Sequence, residues 1–245
     1  MTNNDIFSRN EMFWGNVVQE KITKKNIFVF GLGGVGGFAL EALARCGIEN
    51  FTIIDFDTVS KSNINRQIIA FNSTVGIKKT ELFKNRLSDI NPDIKLRIFD
   101  TFYKKELNEI IFDKKPDFVI DAIDFVKSKI DLIKYCKDNN INIVTSLGAG
   151  NRINPTKLKI VDISEIISTK CNFLRNILKK LEFEGITKNL TAVISDEKPH
   201  SNQKIMTEEK IDNEVITKIT PSSTPIVPAV CGYLMAWHVI EKLIN

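Results

Sequence analysis

The stretch NIFVFGLGGVGGFALEALARCG, residues 26–47, limits the fold more than any other part of the chain. An apolar run rich in Phe, Ile and Val leads into a glycine loop, and an apolar helical segment follows. Gly31, Gly33 and Gly36 fit the pattern G-x-G-x-x-G. Glycine lets the chain turn tightly and lets backbone N–H groups approach an anion closely. The following helix points its positive end at that anion. NAD, FAD and ATP all satisfy such a loop, so other residues must decide between them.

Downstream, the pattern repeats in kind. FTIID closes a βαβ unit at Asp55. A polar, turn-like stretch, DTVSKSNINRQIIA, precedes a helix over about Lys78–Asp89 that stops before Asn91-Pro92. KLRIFD, DFVIDAI and INIVTSLG read as strands, separated by a short helix near Lys105–Ile111 and by the helical SKIDLIKYCKDNN. Strands alternating with helices predict an α/β fold, a doubly wound and mostly parallel sheet. Ahead of it, residues 10–24 read as one amphipathic helix. Beyond Lys157 the regularity fades into a C-terminal α+β extension: LKIVDI as a strand, TKCNFLRNILKKLEFEG as a basic amphipathic helix, LTAVISD as a strand. The polar stretch 196–218 reads as a mobile loop. The expectation is one domain over 1–245, with a nucleotide-binding core at 9–150 and a substrate-side extension at 151–245.

Composition narrows the classes. The chain has 245 residues and a formal charge of +4, which permits nucleic acid without demanding it. Cys46, Cys136, Cys171 and Cys231 are far apart and form no C-x-x-C pair, which argues against a cysteine zinc site or a disulfide framework. The polar start MTNNDIFSRN carries no secretion signal, so the expected compartment is the cytoplasm. The apolar run ITPSSTPIVPAVCGYLMAWHVI holds Pro221, Pro225 and Pro228 in its first half. It reads as a buried helix, not a membrane span. His200 and His238 are isolated and receive no role.

Asp55 stands where an acid would hold ribose hydroxyls, whether of NAD or ATP. SNINRQ discriminates better. Arg66 near a glycine loop suits phosphate, because the planar guanidinium matches its oxygens. Lys79, in VGIKKT, adds a second cation at a helix start, as a triphosphate and its departing pyrophosphate require.

GLGGVGG, DFD, SNINRQ, VGIKK and DAID, in this order, resemble the adenylating family of ubiquitin-activating enzymes and their bacterial relatives. The resemblance implies a Rossmann-like adenylation fold, commonly homodimeric, that uses ATP and Mg²⁺ to activate a carboxylate. It implies that Gly31, Gly33, Gly34 and Gly36 line the phosphate loop, that Asp55 holds the ribose, and that Asn63, Arg66, Gln67 and Lys79 contact phosphates. Asp124 would hold the metal, and Arg9 would reach the partner subunit's ATP. Asp121 reads instead as a structural acid at a strand end.

Two branches of the family compete. Bacterial activators of sulfur-carrier proteins usually carry two C-x-x-C pairs, which this chain lacks. SLGAGNRINPTKLKIVDI, TKCNFLRNILKKL and TPIVPAVCGYLMA resemble the branch that dehydrates threonylcarbamoyladenosine in tRNA. That branch implies adenylation of the nucleoside's carboxylate, ring closure by a group of the same side chain, and release of AMP. It also allows a monovalent cation near the nucleotide and a sulfur-transfer protein partner. The alternative is an adenylyltransferase for the C-terminal Gly-Gly of a ubiquitin-like carrier, in which Cys171 or Cys231 would relay sulfur. The basic residues Lys170, Arg175, Lys179, Lys180 and Lys188 are either an RNA-facing surface or an ordinary solvated helix face.

Overall fold

A computed structural model describes residues 5–200, 205–211 and 214–244. Seven strands form one sheet in the order β3-β2-β1-β4-β5-β7-β6. They are β1 (Asn26–Phe30), β2 (Asn50–Ile54), β3 (Lys95–Phe99), β4 (Phe118–Asp121), β5 (Ile143–Ser146), β6 (Leu158–Asp162) and β7 (Thr191–Ser195). Every neighbouring pair is parallel except β6–β7, so the sheet ends on an antiparallel edge. The chain winds outward from β1 through β2 to β3, then returns to place β4 on the other side of β1. That reversal creates a crevice at the C-terminal ends of β1 and β4, the usual ligand position in such sheets.

Helices cover both faces. On one side α2 (Asn16–Thr23), α3 (Gly36–Arg45), α4 (Lys79–Ile90) and α8 (Ile226–Ile244) close a core that includes Ile27, Val29, Phe51, Phe83, Leu40 and Met235. On the other, α5 (Asn108–Ile111), α6 (Val126–Asp138) and α7 (Asn172–Phe183) close a core around Phe28, Phe30, Val119, Ile133 and Ile177. Strands buried on both faces explain why the sequence shows continuous apolar runs without alternation. The extension is not a separate unit. It supplies β6 and β7 to the same sheet and returns α8 against α3.

Two expectations need correction. The N-terminal helix is not continuous: α1 (Ser8–Trp14) and α2 are separated at Gly15, whose φ of +83° ends one helix and redirects the next. The stretch 196–218, read as a mobile loop, contains β8 (Ile205–Ile211) and most of β9 (Glu214–Thr220), which pair antiparallel as a separate ribbon. Its polar composition masked the strands, because a two-stranded ribbon needs backbone pairing and no buried face. The β-branched residues of EVITKIT were the available signal.

α8 is long and apolar enough to cross a membrane, yet 56% of its apolar window is buried within the protein. Val227, Cys231, Met235, Val239 and Leu243 face the core, as expected for a core helix.

Candidate active site

The glycine loop leaves β1 at Gly31 and enters α3 at Gly36. Backbone crowding fixes these residue types. A Cβ on Gly36 would lie 1.8 Å from the Gly31 carbonyl oxygen, and one on Gly31 would lie 2.7 Å from the carbonyl oxygen of Ala122, just beyond β4. Gly36→Ala should therefore force the loop apart. The expected result is a folded or marginally folded protein that ATP no longer protects against thermal unfolding. Normal ATP protection of this variant would contradict the close packing.

Asp55, beyond the end of β2, is 7% exposed. Its carboxylate accepts from the Leu32 N–H at 2.6 Å and from the Asp57 N–H at 2.8 Å. It thus ties the glycine loop to the end of β2. Burial pushes its pKa up, against the opposing pull of Lys79. Lys79 opens α4 and is buried, and its Nζ lies 2.6 Å from Asp57 Oδ2. Asp57 is the residue the sequence reading missed. The second acid of DFD was visible, but nothing in the linear pattern showed that it orients the lysine.

SNINRQ folds as a short 3-10 turn. Asn63 is buried, and its Oδ1 accepts from the Ser60 N–H at 3.1 Å, so half its amide shapes the turn. Arg66 is half-buried and donates from Nη1 to Ser62 O at 2.7 Å and Asn65 Oδ1 at 2.9 Å. Burial lowers its pKa, and the negative charge of Asp124 opposes that shift, so these two groups face one crevice from different strands' ends. Gln67 is buried with an Oε1 that has no hydrogen-bond partner among the described residues. Gly34 lies beneath Arg66, its built Cβ 3.1 Å from the Arg66 carbonyl oxygen.

Asp124 is exposed, just beyond β4. Asp121, the other acid of DAID, is fully buried. It bonds Lys129 Nζ at 2.7 Å, accepts from Thr145 Oγ1 at 2.7 Å, and its Oδ1 accepts from the Ile123 N–H at 3.1 Å. The structural role expected of Asp121 is what this geometry describes. Arg9 is exposed on α1 and makes no hydrogen bond or ion pair among the described residues. The fold therefore gathers the glycines, Asp55, Asn63, Arg66, Gln67, Lys79 and Asp124 around the crevice, whereas Arg9 stands exposed on α1.

These residues fit a nucleotide. A Cβ on Gly33 would meet only Gln67 Nε2, at 3.8 Å, so space remains over the loop beside the unpartnered Gln67 oxygen. They also fit Mg²⁺ held mainly by phosphates and water. No group of three or more metal-ligating side chains exists among the described residues, and one carboxylate with phosphate oxygens is an ordinary Mg²⁺ set. The cysteines offer less. Cys171 and Cys231 are buried, Cys231 contacts Ser146 Oγ at 3.3 Å, and burial pushes its thiol up to about 11.

The whole chain resembles known proteins. The chain is 39% identical to the tRNA threonylcarbamoyladenosine dehydratase of Bacillus subtilis (strain 168), over 98% of this chain and 94% of that protein. It is 30% identical to the enzyme of that name from Escherichia coli (strain K12), over 97% of this chain and 92% of that one. The crystal structure of E. coli tRNA N6-threonylcarbamoyladenosine dehydratase with AMP superimposes with a TM-score of 0.87, at 30% identity, over 98% of this chain and 95% of that chain. The complex of the same enzyme with ATP gives a TM-score of 0.85 at 29% identity, over 98% and 94% of the two chains. Residues 7–245 match the ThiF family, and the chain belongs to that family.

Proposed function

We infer that this protein is an ATP-dependent enzyme that dehydrates N6-threonylcarbamoyladenosine in tRNA, cyclising its side chain. The observation that carries the choice of branch is the reach of the similarity. The dehydratases of Bacillus subtilis and Escherichia coli match 98% and 97% of the chain, extension included, whereas a molybdopterin-synthase adenylyltransferase from Haemophilus influenzae matches 52% of it at 34% identity. The sulfur-carrier reading loses its basis accordingly.

In this reading the ATP phosphates lie on the glycine loop, within reach of Arg66 and Lys79. Asp57 fixes the Lys79 ammonium, and Asp55 holds the loop while its free lone pairs meet the ribose. Asp124 would hold Mg²⁺, which neutralises phosphate charge when bound. A monovalent cation near the nucleotide belongs to the same proposal. The substrate carboxylate attacks the α-phosphate, and pyrophosphate leaves. A nitrogen or oxygen of the same side chain then attacks the activated carbonyl, closes a five-membered ring, loses its proton and expels AMP. The nucleophile belongs to the substrate, so no catalytic cysteine is needed. The protein aligns the groups and stabilises the charge.

The proposal includes a homodimer and a cytoplasmic location. Ile226, Tyr233 and Trp237 are each more than half exposed along α8, and Met12, Phe13 and Val17 are each more than four-fifths exposed on α1 and α2. Apolar surface of this extent suits a second copy. Arg9, on α1, would then act across the interface. Mixing Arg9→Ala protomers with Asp124→Ala protomers should restore part of the activity that each homodimer lacks. Demonstrated heterodimers with no recovery would remove Arg9 from the site. A sulfur-transfer partner, also within the proposal, would find Cys171 and Cys231 buried.

The deciding experiment incubates the purified protein with Mg²⁺-ATP and tRNA carrying threonylcarbamoyladenosine, digests the tRNA, and weighs the nucleoside. Loss of one water that requires ATP and yields AMP is the expected result. An unchanged nucleoside, with adenylation of a Gly-Gly carrier instead, would transfer the protein to the other branch.

A further inference from the structure

The basic helix of the extension was left between an RNA surface and a solvated face by the sequence. The structure gives it a direction. α7 buries Leu174, Ile177 and Leu181 against the sheet and turns Arg175, Lys179 and Lys180 to solvent. Lys170, before the helix, and Lys188, after it, are exposed as well. Lys179 and Lys180 make no ion pair or hydrogen bond among the described residues. Arg175 is held by neutral groups, Thr169 O at 2.9 Å and Asn172 Oδ1 at 3.3 Å. The acid at the helix end, Glu184, is taken by Lys134 of α6 at 3.0 Å. Glu182, exposed on the same face, offsets part of this charge, and Arg175, Lys179 and Lys180 leave the outer face net positive.

Its orientation matters more than its charge. α7 leads through a short turn into β7, which runs parallel to β5. The C-terminal end of α7 thus lies at the N-terminal edge of the sheet. The Lys134–Glu184 pair agrees, because it joins the C-terminal halves of α6 and α7. The N-terminal end of α7 consequently lies at the opposite edge, where the glycine loop, Arg66 and Asp124 gather. α6 starts two residues after Asp124, at the same edge. A twelve-residue helix spans about 18 Å, enough to follow three successive phosphates. Phe183, 89% exposed beyond Lys179 and Lys180, adds an apolar plane for a ribose or an unstacked base. The face bearing Ile226, Tyr233 and Trp237 lies across the sheet, so a second copy seated there would leave α7 open.

We propose that the outer face of α7 is the tRNA docking surface, with Arg175, Lys179 and Lys180 holding the phosphate backbone that leads away from the modified nucleoside in the crevice. The inference rests on the tRNA reading above and deepens it. The bases are read in the crevice, and α7 supplies contact that is indifferent to sequence.

The test measures binding of an unmodified tRNA transcript across a range of salt. The triple variant Arg175→Ala/Lys179→Ala/Lys180→Ala should bind at least about tenfold more weakly near 0.1 M salt, and its slope of log K against log salt should fall by about 2. ATP should protect it against thermal unfolding as it protects the wild type. Lys179→Gln/Lys180→Gln, a milder change, should lower the slope by about 1. An unchanged affinity and slope in both variants would overturn the proposal. The wild-type assay keeps the two readings apart. If the wild type leaves threonylcarbamoyladenosine intact, the tRNA reading fails. If it converts the nucleoside and the variants bind tRNA undiminished, only the role of α7 fails.

Discussion

Asp124→Ala is expected to lower ATP–pyrophosphate exchange by on the order of a thousandfold and to leave the protein folded. Asp124 is exposed just past β4, on the loop that Asp121 anchors through the Ile123 N–H, and its charge is felt by Arg66. An exposed carboxylate contributes little to the fold, so its removal should leave thermal unfolding almost unchanged. In the function proposed above it is nonetheless the acid that would bring a divalent cation to the phosphates opposite the guanidinium. Without it, repulsion between phosphates and substrate carboxylate goes uncompensated as pyrophosphate departs. Near-normal exchange by the variant would mean that the metal is held elsewhere.

The second large effect is on stability. Lys129→Ala should destabilise the protein by about 3–5 kcal/mol, because it leaves the Asp121 carboxylate without its cation in the core. Both side chains are 0% exposed, and Lys129 Nζ also bonds Thr145 Oγ1 at 3.1 Å, so two strands and one helix share one polar knot. Replacing both partners by apolar residues, Asp121→Leu/Lys129→Met, should recover most of the loss, since the desolvated charge disappears with its partner. Adenylation should not recover to the same degree, because Asp121 also fixes the backbone that carries Asp124. Chemical denaturation of the three proteins, beside their exchange rates, separates the two effects. A single variant as stable as the wild type would show that Asp121 finds another partner or stays neutral.

The alternating strands, the glycine loop and the order of the acids and cations were legible because each rests on local rules. Apolar runs signal doubly covered strands, and Gly31 and Gly36 are dictated by backbone crowding that any phosphate loop of this shape meets. Pairings distant in the chain were not legible. Lys79 was seen as a cation, but its hold on Asp57 depends on the turn between them closing through Asn63. Asp121 was separable from Asp124 as a strand-end acid, while Lys129 and Thr145 gave no signal until helix and strand came together. The ribbon at 205–220 was hidden by charge, and the break at Gly15 by an amphipathic pattern that continues across it. Charge on α7 was visible too, but its direction follows only from the path of β7.

The contact between α3 and α8 has a consequence for biosynthesis. The helix that follows the glycine loop packs on α4 and the sheet, but its cover is completed by residues 226–244, made long after the loop itself. A ribosome that stalls before Ile226 would release a chain with the whole glycine loop and an unshielded apolar flank. Such a fragment would be prey for chaperones and proteases before it could consume nucleotide. The order of translation thereby leaves α3 without its last covering helix until the chain is nearly complete.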